Sequence, residues 1–380
     1  MSKSAEKQKL SRRKFLKAGT AVAGAGAATI AMPQVSRAQT QTLRMQSSWP
    51  SADIFQEMAQ QFVDRVTQMS GGRLKVDLLP AGAVVQAFQV QDAVHDGVLD
   101  GAHTVPAYWY GKHRAASLFG TGPVFGGDGS QFLAWMHYGG GQELYDELVQ
   151  QILGLNIVGF FCMPMPQQPL GWFQREITDI SEMQGLKYRT VGLATDVMQH
   201  LGAAVTQLPG GEIVPALERG VIEAFEYNNP TSDRRFGAAD VAKHYMLGSF
   251  HQAAETFEIM VNKDLYDGLP EELQAIIRYG VEAANTANFS LAMDNYSKDL
   301  QALIEAGVNV HRTPTSVFQA QLEAWDAVVE KFGAEDEFFT KVIDSQKEWF
   351  ERVCYYMLTN QAEYELAYNH YWPNKLPTAG

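Results

Sequence analysis

Two side chains between Met183 and Asn228 have the type and surroundings for chemistry. Arg189 follows Gly185-Leu186-Lys187-Tyr188, and Glu226 sits in the apolar run Ala224-Phe225-Glu226-Tyr227. A guanidinium stays charged at any physiological pH and offers two parallel donors that match a carboxylate. A carboxylate between Phe225 and Tyr227 is expected to be largely buried, so its charge needs a cation or an arginine beside it. Spacing alone leaves two readings open. Arg189 holds an anionic ligand, or it pairs with Glu226 or Asp196 as an internal salt bridge. Gln168 carries an amide oxygen of the kind that ligates Na⁺ or Ca²⁺ beside a carboxylate, although an ordinary loop glutamine reads the same way. Tyr108, Trp109 and Tyr110 could wall a pocket; an aromatic triplet is otherwise core material.

Enzyme signatures do not accompany these residues. The sequence has no G-x-S-x-G, H-E-x-x-H, C-x-x-C, Walker loop or G-x-G-x-x-G after a strand. Its nine histidines include no pair at i, i+4 on one helix. Only Cys162 and Cys354 are present, so one disulfide at most can form, and two buried free thiols satisfy the count as well.

The elements that must position these groups begin after residue 38. Ser11-Arg12-Arg13-Lys14-Phe15-Leu16-Lys17 reads as a twin-arginine n-region, followed by a weakly apolar Ala/Gly stretch and Ser36-Arg37-Ala38, a cleavage site. Residues 1–38 are therefore expected to be a signal peptide, and the mature chain an exported periplasmic protein. Removing the +7 of that segment (eight Lys/Arg, one Glu) takes the net charge from -13 to -20. So acidic a chain is a poor partner for nucleic acid or an anionic membrane surface.

Strand patterns at 42–48, 74–79 and 100–105, separated by helical patterns at 54–70 and 85–96, predict a β-α-β-α-β unit. Ligands of such sheets sit at the carboxyl ends of the strands, here Ser47-Ser48-Trp49, Pro80-Ala81-Gly82 and the aromatic run from Pro106. The apolar strand 157–162 runs into Met163-Pro164-Met165-Pro166, a natural crossing into a second lobe. Residues 183–228 supply that lobe with a strand, a helix, a loop, a second helix and a final strand. Phe257 to Asn262 reads as a returning strand, and the chain from Pro270 is nearly all helix, led by a long run from Glu271 to Ala306.

Several separated motifs then resemble one family, the periplasmic solute-binding subunits of TRAP (tripartite ATP-independent) transporters, in the 2-oxo-acid and lactate branch of the DctP-like proteins. They are R-M-Q-S-S-W-P (44–50), A-W-M-H-Y-G-G-G-Q-E-L-Y (134–145), G-W-F-Q-R-E-I (171–177), M-Q-G-L-K-Y-R-T (183–190), G-G-E-I-V-P-A-L-E-R-G-V-I-E-A-F-E-Y (210–227) and N-K-D-L-Y-D-G-L (262–269). The resemblance implies an α/β fold: a two-lobe clamp with mainly parallel sheets, crossing hinge strands and a long bracing helix. It places residues 39–163 plus roughly 257–290 in lobe I, and 164–256 plus roughly 291–380 in lobe II with the C-terminal helices.

What the resemblance implies for the site is specific. Arg189 pairs with a ligand carboxylate. Gln168, Glu226 and the main-chain carbonyl of Tyr227 hold a metal cation, Na⁺ or Ca²⁺, with Glu255 a further candidate. Tyr108 and Trp109 wall the pocket, and Asn229 and Gln252 tune selectivity. Relatives carry Glu-Trp where this chain has Glu226-Tyr227, and a tryptophan in the segment that here reads Gly248-Ser249-Phe250-His251-Gln252. The expected function is delivery of a small 2-oxo or 2-hydroxy monocarboxylate to TRAP membrane subunits, without catalysis. The alternatives are a periplasmic carboxylate-acting enzyme, with His251 or Glu255 as its acid or base, and a ligand sensor for a membrane receptor. The aromatic C-terminal tail (Tyr364, Tyr368, Tyr371, Trp372) fits either a homodimer interface or an ordinary packed helix.

Overall fold

The computed structural model describes residues 40–123 and 125–377, so the expected signal peptide lies outside the described residues. In chain order the first strands are β1 (Gln41–Ser47), β2 (Leu74–Leu79), β3 (Gly101–Thr104) and β4 (Ile157–Met165). The short strands β5 (Gly171–Phe173), β6 (Lys187–Arg189), β7 (Ala204–Thr206), β8 (Ala224–Phe225) and β9 (His244–Leu247) follow. Last come β10 (Glu255–Asn262) and β11 (Asn309–Arg312). They form two sheets, ordered β2-β1-β3-β10-β4 and β11-β9-β5-β8-β6-β7. In the first sheet β1, β2 and β3 run parallel and β10 lies antiparallel between β3 and β4. In the second, β8, β6 and β7 run parallel, as do β9 and β11, with β5 antiparallel between the two groups. This is the expected two-lobe α/β architecture.

Helix α1 (Ile54–Met69) shows why the sequence builds these layers. Asp53 caps it by accepting from Phe55 N at 3.0 Å, which satisfies one of the orphan amides of the first turn. Ile54, Phe55, Met58, Phe62, Val63 and Val66 recur at helical spacing and are buried against the first sheet. Gly71 and Gly72 then stop it at φ 61° and 79°, a region that residues with a Cβ avoid.

Besides the long helix that later links β10 to β11, two segments cross between the sheets, one from β4 to β5 and one from β9 to β10. The first leaves β4 through Met163, whose φ of 52° is unusual for a residue with a Cβ. Its amide is held by Asn285 Oδ1 at 2.9 Å. Asn285 belongs to a long helix, Glu271–Glu305, that packs on α1, on β4 and on the short helix Pro230–Arg235 of the second lobe. Gly280 lets it approach α1: a Cβ there would stand 2.6 Å from Val66 Cγ1. The expected bracing helix therefore touches both lobes.

Helices Thr315–Glu335 and Glu337–Asn360 follow, and the second of them lies on helix Gly129–Tyr138 beside the first sheet. Helix Tyr364–Tyr371 ends the described chain with no buried residue. Cys162 and Cys354 are both buried free thiols. Sequence periodicity missed β5, β7, β9 and β11, because strands of three or four residues hold too little alternation to register.

A candidate anion and cation site between the lobes

Arg189 ends β6 and Glu226 follows β8, and because these strands are parallel neighbours the two residues emerge side by side. Glu226 N donates to Arg189 O at 3.3 Å. The Arg189 guanidinium is then fixed by three bonds: Nε to Leu208 O at 2.8 Å, Nη1 to Glu226 O at 2.7 Å, and Nη1 to Glu226 Oε1 at 2.9 Å. Its Nη2 makes no hydrogen bond among the described residues. Arg189 and Glu226 are 1% and 0% exposed, so this ion pair sits in the dry interior. Asp196 is taken instead by Tyr110 and Lys331.

The crossing segments bring the remaining polar groups. Gln168, on the first crossing, donates Nε2 to Glu255 Oε2 at 2.8 Å, and Asn228 donates to the same oxygen. Gln252, on the second crossing, donates to Val191 O at 3.1 Å. Three buried acceptors are left without a partner: Glu226 Oε2, Gln168 Oε1 and Gln252 Oε1. Native interiors rarely leave such groups unpaired, since each orphan costs about 1–3 kcal/mol.

Burial pushes Glu255 up to about 8, and the negative charge of Glu226 adds to the rise. Burial also pushes Glu226 up to about 7, against the pull of Arg189. Among the described residues no group of three or more His, Cys, Asp or Glu is placed to hold a metal. What this site offers is a different donor set, carboxylate and amide oxygens without a partner, which suits a hard cation such as Na⁺ or Ca²⁺.

Beside these groups lies a cavity of about 10 Å³, near the lower limit for one water; Arg189, Asn228, Gln252 and Glu255 line it, whereas Gln168 and Glu226 do not. Trp49, Tyr108 and Phe257 line it from the first lobe, Arg189, Tyr227 and Asn228 from the second, with Gln252 and Glu255 from the return crossing. Trp49 is oriented by its own bond, Nε1 to His103 Nδ1 at 2.6 Å, and burial holds that imidazole neutral with its pKa down at about 3. The carboxyl ends of β1 and β3 thus reach the cavity, as parallel sheets require.

Three expected residues lie elsewhere. Trp109 turns away from the cavity and donates Nε1 to Glu258 Oε1 at 3.0 Å, because consecutive residues of its 3-10 turn point about 120° apart. Asn229 caps helix Pro230–Arg235, accepting from Ser232 N at 2.9 Å, while its neighbour Asn228 faces the cavity. His251 does not line the cavity; Ser249 binds its Nδ1, and burial beside Arg189 lowers its pKa to about 3. Sequence reasoning missed Asn228 and Phe257, whereas Trp49 lies at a strand end it had named as ligand-facing. Asn228 gave a signal, being the first polar residue after the buried β8 run.

A larger cavity of about 610 Å³ lies between residues 123–128 and helices Thr315–Glu335 and Glu337–Asn360, walled by Phe125, Phe250, Leu322, Trp325, Val329 and Leu358. Its charged residues sit at the surface and do not converge, so it lacks the buried polar constellation of the smaller site.

Comparison with known proteins agrees with this architecture. A periplasmic protein from Nostoc sp. named as binding monocarboxylate 2-oxoacids is 30% identical over 362 residues, 94% of this chain and 98% of that protein. The crystal structure of a TRAP transporter solute-binding protein from Bordetella bronchiseptica superposes with a TM-score of 0.81 at 28% identity, covering 88% of this chain and 97% of that one. That protein is described as a mixed-occupancy dimer with copurified calcium and picolinate in its active site. A TRAP periplasmic solute-binding protein from Pseudoalteromonas atlantica, with bound sodium and pyruvate, gives a TM-score of 0.79 at 30% identity over 87% of this chain and 99% of that one. The profile of the bacterial extracellular solute-binding proteins, family 7, matches residues 45–336. With the motifs, the two-sheet fold and the match in agreement, the chain belongs to this DctP family of bacterial extracellular solute-binding proteins.

Proposed function

We propose that this protein is the periplasmic solute-binding subunit of a TRAP transporter, binding a small 2-oxo or 2-hydroxy monocarboxylate of the pyruvate type together with Na⁺ or Ca²⁺. One observation carries the reading: a fixed, buried Arg189 paired with Glu226, whose Oε2 is orphaned, and a Glu255 beside them that holds Gln168, whose Oε1 is orphaned too. The guanidinium receives the carboxylate. Gln168, Glu226 and the Tyr227 carbonyl would hold the cation, with Glu255 beside them, and that ion supplies the positive charge two adjacent buried carboxylates need. Tyr108 walls the cavity, and Gln252, which presents an unpaired acceptor, is the residue we assign to selectivity. Trp109 and Asn229 support the site from behind.

The relatives favour the same ligand class, with pyruvate, picolinate and 2-oxoacids named for them. A cavity of about 10 Å³ admits none of these as it stands, so the clamp has to open by hinge motion at its two crossings. Lobe I is then residues 39–163 with roughly 257–290, and lobe II is 164–256 with roughly 291–380. The protein works without catalysis, in keeping with its solute-binding family; of the two acid-base candidates, His251 lies outside the cavity and Glu255 lines it. Residues 1–38 export the chain by the twin-arginine route, and none of the described helices is long and apolar enough to cross a membrane.

The mature protein forms a homodimer through its exposed C-terminal helix, the partner state described for the Bordetella relative. Calorimetry with pyruvate, lactate and longer 2-oxo acids, with and without chelator, tests the ligand reading. Cation-dependent binding of at least one is expected, and absence of binding to every carboxylate overturns it.

A further inference from the structure

Tyr227 has two faces. One lines the ligand cavity, and the other lines a crevice of about 230 Å³ that Pro50, Asp53, Gly210, Ser232 and Arg235 also border. The ring is wedged there, for a Cβ on Gly210 would stand 2.3 Å from Tyr227 Cε2. Its hydroxyl donates to Asp53 Oδ2 at 2.8 Å, and Ser232 Oγ donates to Asp53 Oδ1 at 2.8 Å. Asp53 caps α1 of the first lobe, whereas Tyr227 and Ser232 follow β8 of the second. Arg235 runs alongside, donating Nη1 to Ala52 O at 3.2 Å and to Glu57 Oε1 at 2.8 Å. The two lobes thus meet on one buried carboxylate whose oxygens are both committed across the gap.

We propose that Asp53 is a positioning residue of the ligand site, docking Tyr227 and Ser232 as the clamp shuts so that the Tyr227 ring seals the cavity from the crevice. The inference rests on the binding reading above. A carboxylate only accepts, and bonds to its charged oxygens are roughly twice as strong as neutral ones. These bonds span the lobes, so they exist only when the lobes are together. They stabilise the closed, ligand-holding state and contribute nothing to first encounter. Residence time is what Asp53 controls.

Asp53→Asn isolates the effect. Asparagine caps a helix as well as aspartate, so α1 keeps its start, but one acceptor becomes a donor facing a hydroxyl. Stopped-flow tryptophan fluorescence with pyruvate and Ca²⁺ should show dissociation about tenfold faster and association within about twofold of wild type. Tyr227→Phe should give a similar rise, and the double variant no further one. Unchanged dissociation in Asp53→Asn, or additive effects in the double variant, overturns the proposal. If the wild type binds no carboxylate, the binding reading falls by itself. The clasp is then read from hydrogen exchange: amides 226–232 should lose protection in Asp53→Asn, and equal protection overturns it.

Discussion

Arg189 Nη1 and Glu226 Oε1 stand 2.9 Å apart in the interior, yet Glu226 Oε2 has no partner and Arg189 Nη2 makes no hydrogen bond among the described residues. Nη2 on one side and Oε2 on the other are what remains after Leu208 and the Glu226 carbonyl have fixed the guanidinium. An internal ion pair and a ligand site are therefore not alternatives here. The pair keeps Arg189 oriented in the closed protein, so a carboxylate meets donors that need no rearrangement.

Arg189→Ala should weaken pyruvate binding by at least ~100-fold in calorimetry, the scale of losing one partner of a buried charge pair. Arg189→Lys should recover little, since an ammonium keeps the charge but not the planar fork. The alanine variant also leaves Glu226 buried without its arginine. Its thermal destabilisation should be larger at pH 8 than at pH 5.5, because Glu226, with its pKa near 7, is neutral at the lower pH. Full affinity in Arg189→Ala would remove this residue from the site.

Glu226→Gln removes the charge but keeps the shape. Chelator should lower the pyruvate affinity of wild type sharply and that of Glu226→Gln little, because the variant no longer balances a cation's charge. Gln168→Ala should weaken affinity for the cation by about 10-fold or more, on the scale of one oxygen ligand. Direct titration of Ca²⁺ into each variant with pyruvate present reads both effects. An unaltered chelator response in Glu226→Gln would exclude it as a ligand.

Glu258 gives a pH signature away from the site. It accepts from Trp109 and Tyr145, and burial pushes its pKa up from 4.5 to about 7. The folded protein therefore holds this proton more tightly than the unfolded chain does. Stability contributed by the protonated form is present below about 4.5, is lost as pH rises to about 7, and changes no further above that. Glu258→Gln should reduce the decline across this window by up to about 1.4 kcal/mol per pH unit, one proton's worth, in denaturant titrations run at several pH values. An unchanged slope would show that the carboxyl stays ionised in the folded state.

The two-lobe fold was legible because its signals are long: a 16-residue helix with a clean apolar face, a nine-residue apolar strand and a 35-residue helix. Arg189, Glu226 and Gln168 were legible by residue type; the structure pairs the first two directly and holds Gln168 on Glu255. The small strands of the second sheet were not, since pairing partners far apart in sequence decide them. Which aromatic faces the cavity was not legible either. Tyr108 and Trp109 are neighbours, and only Glu258, arriving on β10 from 149 positions away, draws Trp109 to the other side. Asn228 and Asn229 divide in the same way, because the helix start at Pro230 claims the second as its cap.

The C-terminal helix carries the last prediction. Tyr364–Tyr371 has no buried residue, and Tyr364, Leu366, Tyr371 and Trp372 are 71%, 67%, 70% and 54% exposed. One exposed ion pair, Arg312 Nη1 to Glu365 Oε1 at 3.2 Å, ties it to the second sheet. Eight residues are too few to hold a helix in water unaided, and an exposed pair of this kind adds at most about 1 kcal/mol. The end of the preceding helix is also bare, with Tyr355, Tyr356 and Leu358 at 75%, 62% and 59%. Leu358 borders the apolar 610 Å³ cavity as well, so bare helix and unfilled groove lie side by side. A second copy of the chain, as proposed above, would cover both faces at once. Light scattering on the mature protein should give a dimer, and Leu366→Asp with Tyr371→Asp should give a monomer that still binds pyruvate, the ligand site being made within one chain. A monomeric wild type at micromolar concentration would leave this helix without its cover and sink the dimer.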